Sequence, residues 1–207
     1  MAKQAVATAR KPRADAARNR ELLLDAANRV FSAGGPDASL DAVARAAGVG
    51  IGTLYRHFPT REALYEAVYR REVQQMADLA ERLKQGPEPI EALREWMRTL
   101  VRFVATKKGM SAALALAAYK NTDLNSYSFD QLTRALGALA DRAIAAGEIR
   151  GDISPEDMLR GLVGMCYMHD RPGWQKSVPR LLDVFIDGLR DRHGKSARAK
   201  SRASKSR

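Results

Sequence analysis

Apolar residues recur at intervals of three and four along nearly the whole chain, and this rhythm restricts the fold more than any other feature. Leu22, Leu23, Ala26, Ala27, Val30 and Phe31 set the pattern. At that spacing they fall on one stripe of an α-helix, which must be buried against a neighbour. Nowhere do β-branched residues alternate with polar ones over a strand length, so the period of two that marks a half-buried sheet is missing. The fold class is all-α.

Glycines, prolines and capping residues cut the rhythm into about nine helices. The first is expected over residues 18–33, stopped by Gly34-Gly35-Pro36. Ser39 is a good cap for 40–47, which Gly48 ends, and Pro59 closes off 51–58. Thr60 then caps a long helix over 61–85, before Gly86-Pro87. Further helices are expected over 89–105, 110–120, 126–146, 155–169 and 177–192, with Ser154-Pro155 as a cap followed by proline at the first helical position.

Charge is unevenly placed. The 207 residues carry a formal +11, yet residues 1–20 hold six basic side chains against Asp15 and residues 190–207 hold eight against Asp191. The body between them is close to neutral. Residues 1–17 and 194–207 read as disordered basic ends, suited to sequence-independent attraction to a polyanion. The longest mostly apolar stretch, 112–119, is far short of the roughly 20 residues of a bilayer span. No apolar segment follows the basic N-terminus as a signal peptide would require. The single cysteine, Cys166, rules out an intrachain disulfide or a cysteine-rich zinc site. A cytoplasmic protein without cofactor or metal is expected.

The chemistry lies in Ser39–Arg61, SLDAVARAAGVGIGTLYRHFPTR. Two short helices flank Gly48-Val49-Gly50, each too short to stand alone. Val43, Ala44 and Ala47 are expected to face inward on the first, and Ile51, Leu54 and Phe58 on the second. This is helix-turn-helix spacing, with the second helix placed to enter a major groove. With Leu54 inward, Gly52, Thr53 and Arg56 point away and Tyr55 and His57 lie on the shoulders. Arg56 suits bidentate pairing with guanine or phosphate. Tyr55, His57, Arg61 and Ser39 are placed to reach the sugar-phosphate backbone.

Residues 39–68, SLDAVARAAGVGIGTLYRHFPTREALYEAV, resemble the DNA-binding signature of the TetR family of bacterial transcriptional regulators, and the likeness extends over about Arg18–Val68. The resemblance implies DNA contacts at Thr53, Tyr55, His57 and Arg61, with Ile51, Gly52 and Arg56 as variable base readers. An acid repels phosphate, so no contact is carried onto Asp41. The implied architecture is an N-terminal three-helix helix-turn-helix domain, residues 18–64, followed by a larger helical effector-binding and dimerisation domain, residues 65–193.

The resemblance further implies that the last two helices pair with their copies in a second subunit. Leu159, Leu162, Val163 and Cys166 line one face of the first. Leu181, Leu182, Phe185, Ile186 and Leu189 make the second apolar over more than one face, which is more than a lone subunit needs. Trp96, Met97, Phe103, Met110, Tyr119, Met165, Met168 and Trp174 are candidates to line an effector pocket, although Met and aromatic residues at helical spacing are more often plain core. Cys166 and His169 supply only two of the three or four ligands zinc takes. No HExxH, phosphate-binding glycine loop or nucleophile elbow is present, so no enzyme is expected. The expected function is a homodimeric repressor released from a palindromic operator by a small molecule, lipophilic or aromatic in character. The alternative is a constitutive, weakly specific nucleoid-type protein that binds through its basic ends.

Overall fold

The computed structural model describes residues 5–34, 38–109, 122–167 and 174–190. Among them are eight helices and no strand: α1 Ala5–Gly34, α2 Leu40–Ala46, α3 Ile51–His57, α4 Arg61–Leu83, α5 Pro89–Gly109, α6 Thr122–Ala145, α7 Pro155–Tyr167 and α8 Trp174–Leu189. The expected helix over 110–120 lies outside the described residues, as do Met110, Tyr119, Met168 and His169.

One expectation is corrected at the start of the chain. Residues 5–17 are not an irregular arm but the first turns of α1, thirty residues long. Alanine and arginine are strong helix formers, and between Ala5 and Arg18 only Pro12 opposes them. Burial plays no part over residues 14–18, which are all exposed; the core begins at Leu23.

The helices form two compact units, residues 1–71 with 106–125 and residues 72–105 with 126–207, so that α4 is divided between Arg71 and Glu72. In the first unit Leu23, Leu24, Ala26, Ala27 and Phe31 of α1 are buried with Val43, Leu54, Phe58, Leu64 and Tyr65. The Phe31 and Tyr65 rings stack with centroids 4.2 Å apart. This contact ties the first turns of α4 to α1, which is why the boundary falls beyond them.

Both short helices are fixed at their ends. The Ala42 amide donates to Ser39 Oγ (3.1 Å), as the sequence expectation of a cap requires. Gly48, at φ +69°, reverses the chain after α2, its amide donating to Arg45 O and that of Val49 to Ala44 O. A Cβ at Gly48 would meet nothing within 4 Å, so replacement strains only the backbone. Gly48→Val should therefore destabilise the fold by about 1–2 kcal/mol, read as a lower denaturant midpoint; an unchanged midpoint would show that the turn adopts another conformation without cost.

The second unit is closed by polar clamps. Arg142 of α6 donates to Leu83 O (3.2 Å) and Gly86 O (2.7 Å), satisfying carbonyls where α4 ends. The Glu148 carboxylate accepts from the Ile90 amide (2.8 Å), where α5 begins. Gly147, at φ +68°, ends α6 as Gly48 ends α2, and Ser154 Oγ accepts from the Asp157 amide to start α7. Ile149 and Arg190 form an isolated antiparallel bridge that holds the end of α8.

Arg94 of α5 reaches Asp183 of α8 at 2.7 Å, and Arg98 reaches the same carboxylate at 2.8 Å. Partial burial opposes the charged carboxylate, but the hydrogen bonds from Arg94 and then Arg98 outweigh it and hold Asp183 below the usual carboxylate range. A depressed folded-state value means that the stabilisation is complete above the unfolded value of 3.8 and is lost as pH falls through the folded one. Asp183→Asn should therefore lower stability at neutral pH and flatten its decline below about pH 4. Parallel stability–pH curves for the two proteins would show that this carboxylate carries no such linkage.

Candidate nucleic-acid interface

The recognition-helix candidate α3 divides into an inner and an outer face. Leu54 is fully buried and Phe58, its C-cap, is 3% exposed. On the outside, Gly52, Tyr55 and Arg56 are exposed, while Thr53 and His57 are half-buried. The Arg56 Nε donates to Gly52 O (3.2 Å) along the outer face, and the space over Gly52 is open. Such a face offers backbone that a duplex can approach closely, one guanidinium and one phenol, the group types that read base edges and phosphates.

One residue departs from expectation, and two others have a structural role as well. Ile51, the first residue of α3, is 37% exposed and so does not complete the buried part of the inner stripe. Arg61 is engaged within the protein, with Nη2 donating to Ala38 O (2.8 Å) and Nη1 to the Tyr65 hydroxyl (3.3 Å). It secures the entry to α2, which sequence spacing did not reveal because Ala38 lies 23 residues away. Ser39 Oγ accepts the α2 capping bond from the Ala42 amide, which uses an acceptor site and not its O–H.

A contact at the end of α3 is invisible to spacing alone. Arg20 of α1 sits with its guanidinium carbon 5.4 Å from the centroid of the Phe58 ring, at the end of α3. In the sequence it figures only as part of the basic N-terminal surplus, and no local pattern joins it to Phe58.

Residues 23–68 match the family model described as bacterial regulatory proteins, tetR family, and residues 88–191 match that of the SbtR-like transcriptional regulator C-terminal domain. A crystal structure of a TetR transcriptional regulator from Streptomyces coelicolor is 46% identical, with TM-score 0.75, over 84% of this chain and 99% of that one. The chain belongs to the TetR family. A TetR transcription regulatory protein from Mycobacterium vanbaalenii is 36% identical, with TM-score 0.69, over 86% of this chain and 99% of that one. The HTH-type transcriptional repressor KstR of Mycobacterium tuberculosis is 31% identical over 62% of this chain and 60% of its own length. The chain spans about half the length of the first curated relatives it matches, 46% in each case.

The TetR-family expectations for the C-terminal helices are redistributed by burial. Leu159, Leu162, Cys166, Leu182, Ile186 and Leu189 are at most 4% exposed within the single chain, so they are core rather than surface available to a second subunit. Two helices packed side by side must first bury their facing stripes against each other. What remains outward is Leu181 (41% exposed), Val184 (71%) and the half-buried Val163 and Phe185. Val184 was not among the expected interface residues, although its three-residue offset from Leu181 puts both on one outer face.

The pocket candidates divide in the same way. Trp96 and Met97 are fully buried, Phe103 is 8% exposed and Met165 is half-buried. The Trp96 indole donates to Met76 O (2.9 Å), which leaves it satisfied as a core residue. The side chain of Trp174 lies outside the described residues. Two described clefts, of about 450 Å³ along α1 and α4 and about 260 Å³ along α5, have mainly charged linings that include none of these side chains.

Proposed function

We propose that this TetR-family protein is a homodimeric, one-component transcriptional repressor. In this reading, α3 of each subunit enters the major groove of one half of a palindromic operator, the half-sites lying about one helical turn apart or a little more. The observation that carries the reading is the division of α3: apolar residues anchor it from within, while Gly52, Tyr55 and Arg56 are left outward beside a glycine turn. The similarity to KstR, a repressor by name, supports repression rather than activation.

Release by a small lipophilic or aromatic molecule forms the second half of the proposal. An effector that binds better when the paired DNA-binding units are apart lowers operator affinity by its differential binding. A coupling of about 1–3 kcal/mol gives a 5- to 150-fold loss. The match of residues 88–191 to a TetR-type C-terminal domain supports this half, and the outward Leu181 and Val184 support self-association.

The test begins with selection of bound duplexes from a randomised pool. Affinity for the selected sequence is then compared with that for random duplex, using the full chain and a version lacking residues 1–17 and 194–207. Both proteins should keep the preference. If trimming abolishes it, binding resides in the basic ends and α3 does not read sequence. Light scattering at micromolar concentration should give a dimer; a monomer would overturn the paired-operator scheme.

A further inference from the structure

One side chain pins together the two ends of the helix-turn-helix segment. Arg61 is the first residue of α4, just beyond α3, and its Nη2 donates to Ala38 O at 2.8 Å, just before α2. We infer that Arg61 is a positioning residue for DNA binding: anchored on Tyr65, it fixes the Ala38–Ser39 peptide and so sets the Ser39 hydroxyl and the helix pair for the duplex, without neutralising a phosphate itself. The inference rests on the DNA-binding reading above and gives Arg61 a different part in it from the direct contact that the family resemblance implies.

Three observations converge. First, the guanidinium is held from its own helix. Nη1 donates to the Tyr65 hydroxyl (3.3 Å), and the guanidinium carbon lies 5.9 Å from the centroid of that ring. Tyr65 is fully buried and stacks on Phe31 of α1 at 4.2 Å, so its phenol oxygen is a fixed point of the core. Second, the bond to Ala38 spans 23 residues and encloses both short helices. Each has seven residues, too few to be stable alone, so their placement depends on the core beneath them and on what closes the segment. Tying the ends removes freedom that binding would otherwise have to remove.

Third, the carbonyl that Arg61 holds belongs to the planar peptide whose other end is the Ser39 amide. Ser39 caps α2 at φ −75°, ψ 148°, with Oγ accepting from the Ala42 amide at 3.1 Å. Its peptide is thus fixed on one side and its hydroxyl oxygen on the other. Accepting that bond occupies an acceptor site, and the O–H is a donor of the kind that meets phosphate oxygens. Arginine suits the clasp because its rigid fork addresses two oxygens at once. A guanidinium carries five N–H donors, so a clasp and a phosphate contact are separated by salt dependence rather than by reach.

The experiment uses the full chain, a duplex selected from a randomised pool and a random duplex. Anisotropy titrations from about 50 to 200 mM salt give affinity and salt slope, at a temperature where urea unfolding shows every variant folded. Arg61→Ala should weaken the selected duplex about two- to tenfold, the worth of one hydrogen bond, and leave the salt slope at the wild-type value. Tyr65→Phe keeps the stacked ring and removes a hydroxyl too deeply buried to touch a duplex, and it should weaken binding in the same way at unchanged slope. Ser39→Gly removes the other hydroxyl while still starting a helix well; in its background Arg61→Ala should cost much less than in the wild type. A slope lowered by about 0.9 in Arg61→Ala would mark a phosphate neutralised by Arg61 itself and overturn the proposal. Wild-type affinity in Arg61→Ala, even with a lower unfolding midpoint, would overturn it as well, since the residue then serves stability alone. Wild-type affinity in Tyr65→Phe would overturn the anchor, and additive costs of the Arg61 and Ser39 changes the route through Ser39. A wild-type chain that binds no duplex at all would instead refute the DNA-binding reading itself.

Discussion

Trp96→Ala should destabilise the protein by about 3–5 kcal/mol, the range for emptying a fully buried large aromatic site. Trp96 has no exposed surface, and its indole N–H is matched to Met76 O at 2.9 Å. Removal thus loses transfer energy, leaves a cavity between α4 and α5 and breaks a buried hydrogen bond. Trp96→Phe keeps most of the volume and should cost far less, since Met76 O retains its place in the α4 ladder. Urea unfolding at one fixed protein concentration is the measurement, because association would make the midpoint concentration-dependent. The result also decides between two roles assigned from sequence. A core tryptophan gives the full destabilisation, whereas a value below about 1 kcal/mol would indicate that the side chain borders a space already open to solvent or ligand.

Arg56→Ala should relax operator preference by about 1–3 kcal/mol if the guanidinium pairs bidentately with a base. The side chain stands on the outer face of α3, where its Nε donates to Gly52 O. Its removal leaves Leu54 and Phe58 seated, so the helix should survive and random-duplex binding should change little. Tyr55→Phe makes the complementary case. Tyr55 is 48% exposed; if its hydroxyl meets phosphate, its removal weakens operator and random duplex alike. A uniform weakening for Arg56→Ala would reassign that residue to the backbone, and a selective one for Tyr55→Phe would make it a base reader.

Much of this site was legible beforehand for a physical reason. The α2–α3 segment has only one workable inside-outside division, because Leu54 and Phe58 are four apart and the helix is seven residues long. Gly48 marks its turn through a backbone angle that few other residues adopt. What could not be read were contacts between residues distant in sequence. Arg61 closes the motif, and its partner Ala38, just before the motif begins, lies 23 residues away along the chain. Arg20 lies at Phe58 through a chain separation that no periodicity records.

The same limit explains the C-terminal helices. Periodicity identified Leu159, Leu162, Leu181, Leu182, Phe185, Ile186 and Leu189 as apolar, but it measures only angular position on one helix. Whether a stripe meets a neighbour in its own chain or faces outward depends on how the helices are paired. Pairing buried Leu182 and Ile186 and left Leu181 and Val184 outside.

By itself, then, the sequence determined the helical class, most helix ends, the turn at Gly48 and the TetR-like recognition helix. Each follows from local chemistry: propensity, capping, positive φ and the spacing of apolar residues within one helix. Only the tertiary structure decided which apolar residues are core, that Trp96 is a satisfied core group, that Arg61 holds α2 in place and that Arg20 stands beside α3. Those are distances between residues far apart along the chain, and a linear pattern carries no term for them.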